Sequence, residues 1–465
     1  MPLRLYNTLS NTLEEFISIN KDEVKIYTCG PTVYHYVHIG NFRTFIFQDI
    51  LRRYLNYKGY RITHVMNITD VEDKIIANAR KQGLSIADYT RKYEEAFFED
   101  MDALRIQRPE IMPRATEHIE EMVELVSRLR DKGFTYERDG STYFRINKFD
   151  KYGHLSGVQV DKESSFGQVD EDEYSKENPR DFVLWKGRKD EEDFWASPFG
   201  EGRPGWHLEC SAMSMKYLGE TFDIHCGGVD LVFPHHENEI AQSEGATGKP
   251  FVRYWIHGAH LIVEGQKMSK SLGNFYTLRD LLEKGHNPLA LRFLLTSVHY
   301  RKQLNFTFDG VSQAQSAIQR GNDFLLRLGE ITDEGPVSAE VEKMVTKAVA
   351  GFEAAMDDDL NTSAALAAVF ELVREINTLL DNGKLNSGDR NTVLGFFEKV
   401  NMVFDVFNLE KEKLEDQDIL DLIEERISAR KNKDFKRADE IRDMLEQKGI
   451  ILEDSKEGTR WKRRI

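Results

Sequence analysis

Four side chains that stand far apart in the chain have the types to share one soft divalent cation: Cys29, Cys210, His235 and Glu239. Each falls at or near the end of a strand-like run, or on the helix after one. His235 and Glu239 are four residues apart, so a helix sets them on one face. Two thiolates, an imidazole and a carboxylate suit zinc better than magnesium or calcium. The His-x-x-x-Glu pair has little weight alone, because surface helices carry such pairs often. His236-Glu237 begins a metalloprotease-like pattern, but Ile240 stands where the second histidine belongs, which excludes that chemistry. Cys226 is a competing thiol. Alternation along 221–226 sets it with Phe222 and Ile224 on an apolar face, the position of a core residue.

Two further stretches have the composition to hold phosphate. Val24-Lys25-Ile26-Tyr27-Thr28 reads as a short strand, and Gly30-Pro31-Thr32 ends it. From Ile39 the apolar period turns helical through Phe42, Phe45, Ile46, Ile50 and Tyr54. His38-Ile39-Gly40-Asn41 therefore opens a helix, whose free first N–H groups and positive dipole end attract an anion. Gly40 admits a flat ring or a phosphate close to the backbone, and His35 and His38 can donate to phosphate oxygens. Capping or packing is the bland alternative. Downstream, Lys267-Met268-Ser269-Lys270-Ser271 follows a strand-like run and a Glu264-Gly265 turn. Lys267 and Lys270, with Ser269 between them, place two mobile charges on a Ser/Gly-rich loop suited to a polyphosphate. A solvated basic turn is the alternative.

The pattern between these motifs predicts the elements that position them. Residues 59–67 read as a second strand, and 69–73 as the cap of the next helix, the simplest role for Thr69. Amphipathic helices follow at 86–104 and 116–132, then a strand at 142–145. Strand and helix alternate as in a doubly wound, Rossmann-like parallel sheet, whose ligands sit at the carboxyl ends of its strands. The stretch 150–204 is rich in Pro and Gly, and acidic over 161–181. It reads as a connective insertion, too short for an added hydrolytic domain. The sheet is expected to resume at Gly205, with Pro234 in the first turn of a later helix. Residues 313–409 form a helix bundle, with joints at Gly335-Pro336 and 357–359 and one apolar face through Leu366, Val369, Val373 and Ile376. A charged linker at 410–418 leads to a tail of two short helices, a strand at 449–452 and a basic end.

Bulk properties narrow the function classes. Three cysteines cannot build a disulfide framework. No apolar run is long enough for a membrane span, and the first residues lack a signal pattern, so a cytoplasmic location is expected. The net charge of −16, from 63 basic and 79 acidic residues, argues against nucleic acid unless the basic face is concentrated. Only the field within a Debye length of about 8–10 Å acts at a contact surface.

The two phosphate motifs, in this order and each at a strand end, resemble the HIGH and KMSKS signatures of class I aminoacyl-tRNA synthetases. Thr28–Thr32, Gly205-Trp206-His207-Leu208-Glu209-Cys210-Ser211-Ala212-Met213 and Phe233-Pro234-His235-His236-Glu237-Asn238-Glu239 are similar to segments of the bacterial cysteinyl-tRNA synthetases. The likeness covers nearly the whole chain. Asn41 departs from it, standing where the first signature ends in His. The resemblance implies ATP-dependent activation of L-cysteine and its transfer to tRNA(Cys), with His38, Lys267 and Lys270 as catalytic residues. His35, His38, Gly40, Asn41, Lys267, Ser269 and Lys270 would bind ATP with Mg2+. Cys29, Cys210, His235 and Glu239 would bind one Zn2+ per subunit. That ion would accept the substrate thiolate and refuse serine, where apolar pockets discriminate by only about 1–3 kcal/mol. Four protein ligands normally close a zinc site, so substrate sulfur requires five-coordination or a loosely held Glu239.

Trp206 is expected to wall the amino-acid pocket, with packing as the alternative, and Thr69 or Asp230 to hold the substrate ammonium. Arg460, Trp461, Lys462 and Arg463, followed by Arg464, would bind unstacked anticodon bases, or else form a solvated terminus. The chain would divide into a Rossmann-like domain in two halves (1–149 and 205–264) around the connective insertion 150–204. Residues 265–312 would carry the lysine loop and a stem contact, 313–409 the bundle, and 410–465 the anticodon-binding region. A monomer without membrane contact is expected. Two other readings stay open. A ligase joining cysteine to a sugar amine has no use for the helical and basic C-terminal region. A silent, zinc-stabilised RNA-binding scaffold has no use for an intact lysine loop.

Overall fold

The computed structural model describes residues 1–158, 176, 178, 180–189, 193–409, 417–447, 450–455 and 458–463. Most of the acidic stretch 161–181, most of the linker 410–418, Pro179, Gly449 and Arg464 lie outside the described residues. A hairpin of β1 (Arg4–Asn7) and β2 (Thr12–Glu15) precedes β3 (Glu23–Thr28), α1 (Ile39–Tyr57) and β4 (Arg61–Met66). Next come α2 (Asp73–Gln82), α3 (Ile86–Ala103) and α4 (Ile119–Asp131). Strands β5 (Thr135–Arg138), β6 (Ser141–Phe144), β7 (Phe182–Gly187) and β8 (Gly202–Pro204) follow, then α5 (Trp206–Leu218), β9 (Phe222–Gly228), α6 (Glu237–Thr247) and β10 (Val252–Gly258).

β3, β4, β9 and β10 form one parallel sheet in the order β4-β3-β9-β10. Chain order reverses between β3 and β9, which opens a crevice at their carboxyl ends. Helices cover both faces. α1 packs one side through Phe42, Ile46, Ile50 and Tyr54, while α4, α5 and α6 build the other core with Tyr27, Phe222 and Trp255. Burial on both faces explains why β9 is buried along its whole length, Asp223 and His225 included.

The structure corrects several expectations. The strand near 142–145 is β6, and it belongs to a separate antiparallel sheet, β5-β6-β7-β8, drawing on residues from both sides of 150. Asp139 and Gly140 have φ of 51° and 75°, the backbone of a two-residue hairpin turn between β5 and β6. The parallel sheet resumes at β9, because 206–218 is helical. Thr69 does not cap α2. Glu72 does, its side chain accepting from the Lys74 N–H, while Asp70 accepts from the backbone and hydroxyl of Thr116. Pro234 sits in a wide turn, Val232–His236, and α6 begins only at Glu237.

Beyond the sheet, β11 (Leu261–Val263) and β12 (Gln266–Lys267) form a hairpin over Glu264 and Gly265, and β13 (Leu304–Phe306) pairs with β11. Between β12 and β13 lie α7 (Leu278–Glu283) and α8 (Pro288–Thr296), the latter capped by Asn287. α9 (Phe308–Leu328), α10 (Ala339–Asp357), α11 (Thr362–Asp381) and α12 (Ser387–Val403) make the bundle, whose core is continuous with that of α1. The joint is polar inside. Arg292 of α8 is fully buried, pairs with Asp49 of α1, and donates to the carbonyls of Phe404, Leu104 and Arg105. The tail, α13 (Gln417–Lys431), α14 (Phe435–Gln447), β14 (Ile450–Ser455) and β15 (Gly458–Arg463), has its own small core around Ile441 and Leu445. The backbone of Arg460, Trp461, Lys462 and Arg463 is strand β15, paired antiparallel with β14. Among the described residues, no helix is long and apolar enough to cross a membrane.

Candidate metal and nucleotide sites

Cys29 follows the last residue of β3 and Cys210 lies in the second turn of α5, while His235 precedes α6 and Glu239 lies in its first turn. Their ligand atoms lie within 4.8 Å of one another, and all four side chains are buried. His235 Nε2 is 3.1 Å from Glu239 Oε1. That oxygen has no hydrogen bond, although Glu239 is fully buried. A buried carboxylate oxygen with no well-formed hydrogen bond, facing two thiols and the His235 imidazole, fits a soft cation, since burying it without hydrogen bonds is costly.

A second group of four, Cys29, His225, His236 and Glu239, overlaps the first. His225 Nε2 is 3.0 Å from Glu239 Oε2, and His236 Nε2 is 3.3 Å from Cys29 Sγ. His236 Nδ1 meets His257 Nε2 at 2.7 Å, and His257 Nδ1 meets the Thr8 hydroxyl at 2.8 Å. These imidazoles hold the ring and carboxylate orientations that a metal needs. Cys226 is fully buried with Ile224 and lies in neither group.

The charges in this cluster are strongly coupled. The hydrogen bond from Cys29 brings the Cys210 thiol down to about 6 against the opposing effect of burial, while burial pushes Cys29 up. Burial disfavours a charged His235, but the Cys210 sulfur and the Glu239 carboxylate outweigh it and raise the ring to about 10. Burial also opposes a charged Glu239, yet His225 and His235 hold it down to about 2. A proton on His235 thus stands where a divalent cation would balance sulfur and carboxylate.

Trp206 is 39 % exposed and stacks on His235 with ring centroids 4.2 Å apart, so one face covers the metal group. Thr69 donates to Glu209 Oε2 at 3.0 Å and accepts from Asn67 Nδ2 at 3.1 Å. Asp230 is exposed and folds over Gly228, where a β-carbon would collide with its carboxylate.

The helix start and the lysine loop meet. The Ile39 N–H donates to the Tyr276 carbonyl at 3.0 Å, and the His38 ring packs against Phe275 with centroids 5.2 Å apart. A β-carbon on Gly40 would press on the His38 ring at 3.0 Å and on the tip of Met268 at 3.2 Å. His38 caps α1, its Nδ1 accepting from the Asn41 N–H at 3.2 Å. The N–H groups expected to be free for an anion are therefore largely engaged: Ile39 by Tyr276, Asn41 and Phe42 by His38. Burial lowers His38 to about 4, with Asp230 opposing and Lys270 reinforcing. The ring is neutral at pH 7, and with Nδ1 accepting, its proton is on Nε2, a donor. Lys267 and Lys270 are exposed. Asn274 staples the loop, accepting from the Ser269 N–H at 2.8 Å and donating to the Lys267 carbonyl at 3.2 Å. His35 stacks near Tyr93, and Asn41 is exposed.

The structure thus gathers the four metal-type residues in one place and His38, Gly40, Lys267, Ser269 and Lys270 in another. The sequence reading missed His207, His225, His236, His257, Asn67 and Asn274. A histidine inside an otherwise apolar strand, as at 225, was the available signal.

Three family models match the chain. The class I (C) tRNA synthetase catalytic domain covers residues 15–316, the DALR domain 351–409, and the cysteinyl-tRNA ligase anticodon binding domain 415–461. The cysteine–tRNA ligase of Solibacter usitatus (strain Ellin6076) is 52% identical over 466 residues, covering 100% of both chains. Those of Koribacter versatilis (strain Ellin345) and Brachyspira hyodysenteriae (strain ATCC 49526 / WA1) are 49% and 50% identical, over 100% and 99% of both chains respectively. Among solved structures, Mycobacterium tuberculosis methionyl-tRNA synthetase in complex with methionyl-adenylate has the same fold. The TM-score is 0.60 at 15% identity, over 82% of this chain and 90% of that one.

Proposed function

The chain belongs to the cysteine–tRNA ligases, and on that premise we propose that Cys29, Cys210, His235 and Glu239 hold one zinc ion that selects the substrate. The enzyme is a class I aminoacyl-tRNA ligase joining L-cysteine to tRNA(Cys) at the expense of ATP. The observation that carries the zinc reading is the convergence of these four groups within 4.8 Å around an unbonded Glu239 oxygen. When bound, zinc supplies a soft Lewis acid that favours a thiolate over the hard hydroxyl of serine.

The chain's own groups do the rest by position and charge. Trp206 closes one side of the amino-acid pocket over His235, and Asp230 offers a carboxylate to the substrate ammonium. Thr69, whose hydroxyl is bonded to Glu209, fixes the wall beside Cys210. The cysteine carboxylate attacks the ATP α-phosphate and pyrophosphate leaves. His38 donates from Nε2 to the phosphate oxygens, and Lys267 and Lys270 close on the leaving phosphates, with Mg2+ carried by ATP. Ser269 and Asn274 set the shape of that loop, and Gly40 keeps its approach open. His35 and Asn41 flank the nucleotide. Residues 265–312 contact the acceptor stem, and 410–465, with Arg460, Trp461, Lys462 and Arg463, take the anticodon loop. The anticodon-domain match supports the second assignment.

The protein acts as a monomer in the cytoplasm, where its ligand thiols stay reduced. Exchange of labelled pyrophosphate into ATP tests the zinc reading. Cysteine supports exchange in the zinc-loaded enzyme, serine does not, and chelation removes the preference. Equal discrimination by metal-free enzyme would overturn it.

A further inference from the structure

We propose that Arg279 is a positioning residue for the activation step: its guanidinium ties the foot of the lysine loop to α3 and so fixes where Lys270 stands. This role rests on the ligase reading and is given to no residue above. Arg279 belongs neither to the metal group nor to the walls of the cleft between His35 and Lys270. It therefore acts through the loop and not on a ligand.

The loop leaves β12 at Lys267 and ends where Thr277 caps α7. Lys267, Lys270, Ser271 and Leu272 are exposed, so the loop is held chiefly at its foot. There Phe275 packs against His38 and carries the Lys270 ammonium 5.1 Å from its ring centroid. The Tyr276 carbonyl accepts from the Ile39 N–H at 3.0 Å. The place of Lys270 against the start of α1 thus depends on Phe275 and Tyr276 staying seated.

Arg279, in the first turn of α7, holds that foot from behind. Its Nη2 donates to the Ala96 carbonyl at 3.1 Å and pairs with Glu99, and its Nε stands 3.4 Å from Asp100 Oδ1. All three partners belong to α3, whose Phe97 and Met101 are set in the main core. The guanidinium also lies 5.2 Å from the ring centroid of Tyr36, and that ring is wedged against Tyr93 of the same helix. One side chain of α7 therefore joins α3 to the segment that leads into α1. Glu99 is 70 % exposed, so its pair with Arg279 is worth little. Asp100 is 3 % exposed, its Oδ2 makes no hydrogen bond, and Arg279 is the cation that faces it. Burial raises the Asp100 carboxyl to about 7, with Arg279 opposing and Glu99 adding to the rise. Without the guanidinium that acid takes up a proton instead of staying charged and unpaired. Loss of Arg279 then frees the foot of the loop without leaving a buried charge to unfold α3.

The test uses the full-length, zinc-loaded enzyme and cysteine-dependent pyrophosphate exchange in the wild type, Arg279→Gln and Arg279→Lys. Misplacing reacting groups by about an ångström costs about a hundred-fold in rate, so Arg279→Gln is expected to lower kcat about ten- to a hundred-fold. Arg279→Lys keeps the charge and loses the planar fork that serves Ala96 and Asp100 together, and its kcat is expected to fall between the two. The KM for cysteine and the urea midpoint stay at their wild-type values in both variants, because the metal group and the core are untouched. Trypsin reads the loop without any chemistry: cleavage after Lys267 and Lys270 is expected to be faster in Arg279→Gln. A kcat within three-fold of wild type in Arg279→Gln would overturn the role. So would an unchanged rate of cleavage in the loop, or a KM for cysteine or a urea midpoint that moves in step with kcat. Absence of cysteine-dependent exchange in the wild type would instead sink the ligase reading on which the role rests.

Discussion

Replacing His38 separates two roles that one ring performs. Its Nδ1 accepts from the Asn41 N–H and so caps α1, and the same bond leaves Nε2 as the donor aimed out of the helix. His38→Ala removes both. Losing the cap costs about 1 kcal/mol of stability. Losing a donor that meets charge developing on phosphate costs about a hundred- to a thousand-fold in rate. His38→Asn keeps the first role, because asparagine is among the strongest N-caps, but its amide is too short to reach where Nε2 stands. Urea titration should therefore show His38→Asn within about 0.5 kcal/mol of wild type, inside the ordinary spread for neutral substitutions. Cysteine-dependent pyrophosphate exchange should fall by the full factor in both variants. Burial keeps His38 near 4, so it contributes no titration between pH 6 and 8; as pH falls toward 4 the ring gains a proton on Nδ1, which ends the cap to Asn41 and leaves the Nε2 donor in place. Exchange within three-fold of wild type in His38→Asn would refute this account. So would a wild-type rate profile with an apparent pKa near 6.5 that disappears in the variant.

Substitutions at three other positions probe the same frame. Arg292→Met strips four bonds from the fully buried joint between α1, α8 and the end of α12. It should lower unfolding free energy by about 3–5 kcal/mol in a denaturant melt, as breaking a buried pair does. Trp206→Ala removes the ring stacked on His235 and should raise the KM for cysteine about five- to ten-fold, whereas Trp206→Phe restores most of it. His64 is buried and held near 3, so the unfolded chain takes up its proton first as pH falls. Its contribution to stability is complete above about 6.5 and is lost from there down to about 3, at about 1.4 kcal/mol per pH unit. His64→Met should flatten that part of the stability profile, as read from urea midpoints between pH 7 and 4.

Local patterns were the legible part of this molecule. The change of period at Ile39, the Asn287-Pro288 start of α8 and the joints of the bundle each follow from a few neighbouring residues, and the structure has them where the pattern puts them. Pairings across long stretches were harder. The strand at 142–145 looked like a member of the parallel sheet because alternation says nothing about partners. Asp139-Gly140, a turn signal in its own right, was the clue that β5 and β6 form a hairpin. Thr69 reads as a helix cap until the fold brings Glu209 to its hydroxyl from 140 residues away. The grouping of the histidines around Glu239 was hidden for the same reason, although His225 inside an apolar strand was a signal in itself. His225, His236 and His257 lie on β9, on the turn before α6 and on β10, and only the parallel pairing of β9 with β10 and that turn stack them together. The side chains at 29, 210, 235 and 239 could be named from type and resemblance, but the unbonded oxygen of Glu239 is a fact of packing alone.

Cobalt substitution tests the selection of cysteine most directly. The full-length protein loaded with Co2+ should hold one ion per chain. Adding L-cysteine should strengthen and shift the cobalt–sulfur charge-transfer bands, while L-serine at the same concentration leaves them as they were. If cysteine leaves those bands untouched while still supporting pyrophosphate exchange, the metal does not touch the substrate sulfur. The four residues that converge within 4.8 Å would then hold the fold together and nothing more.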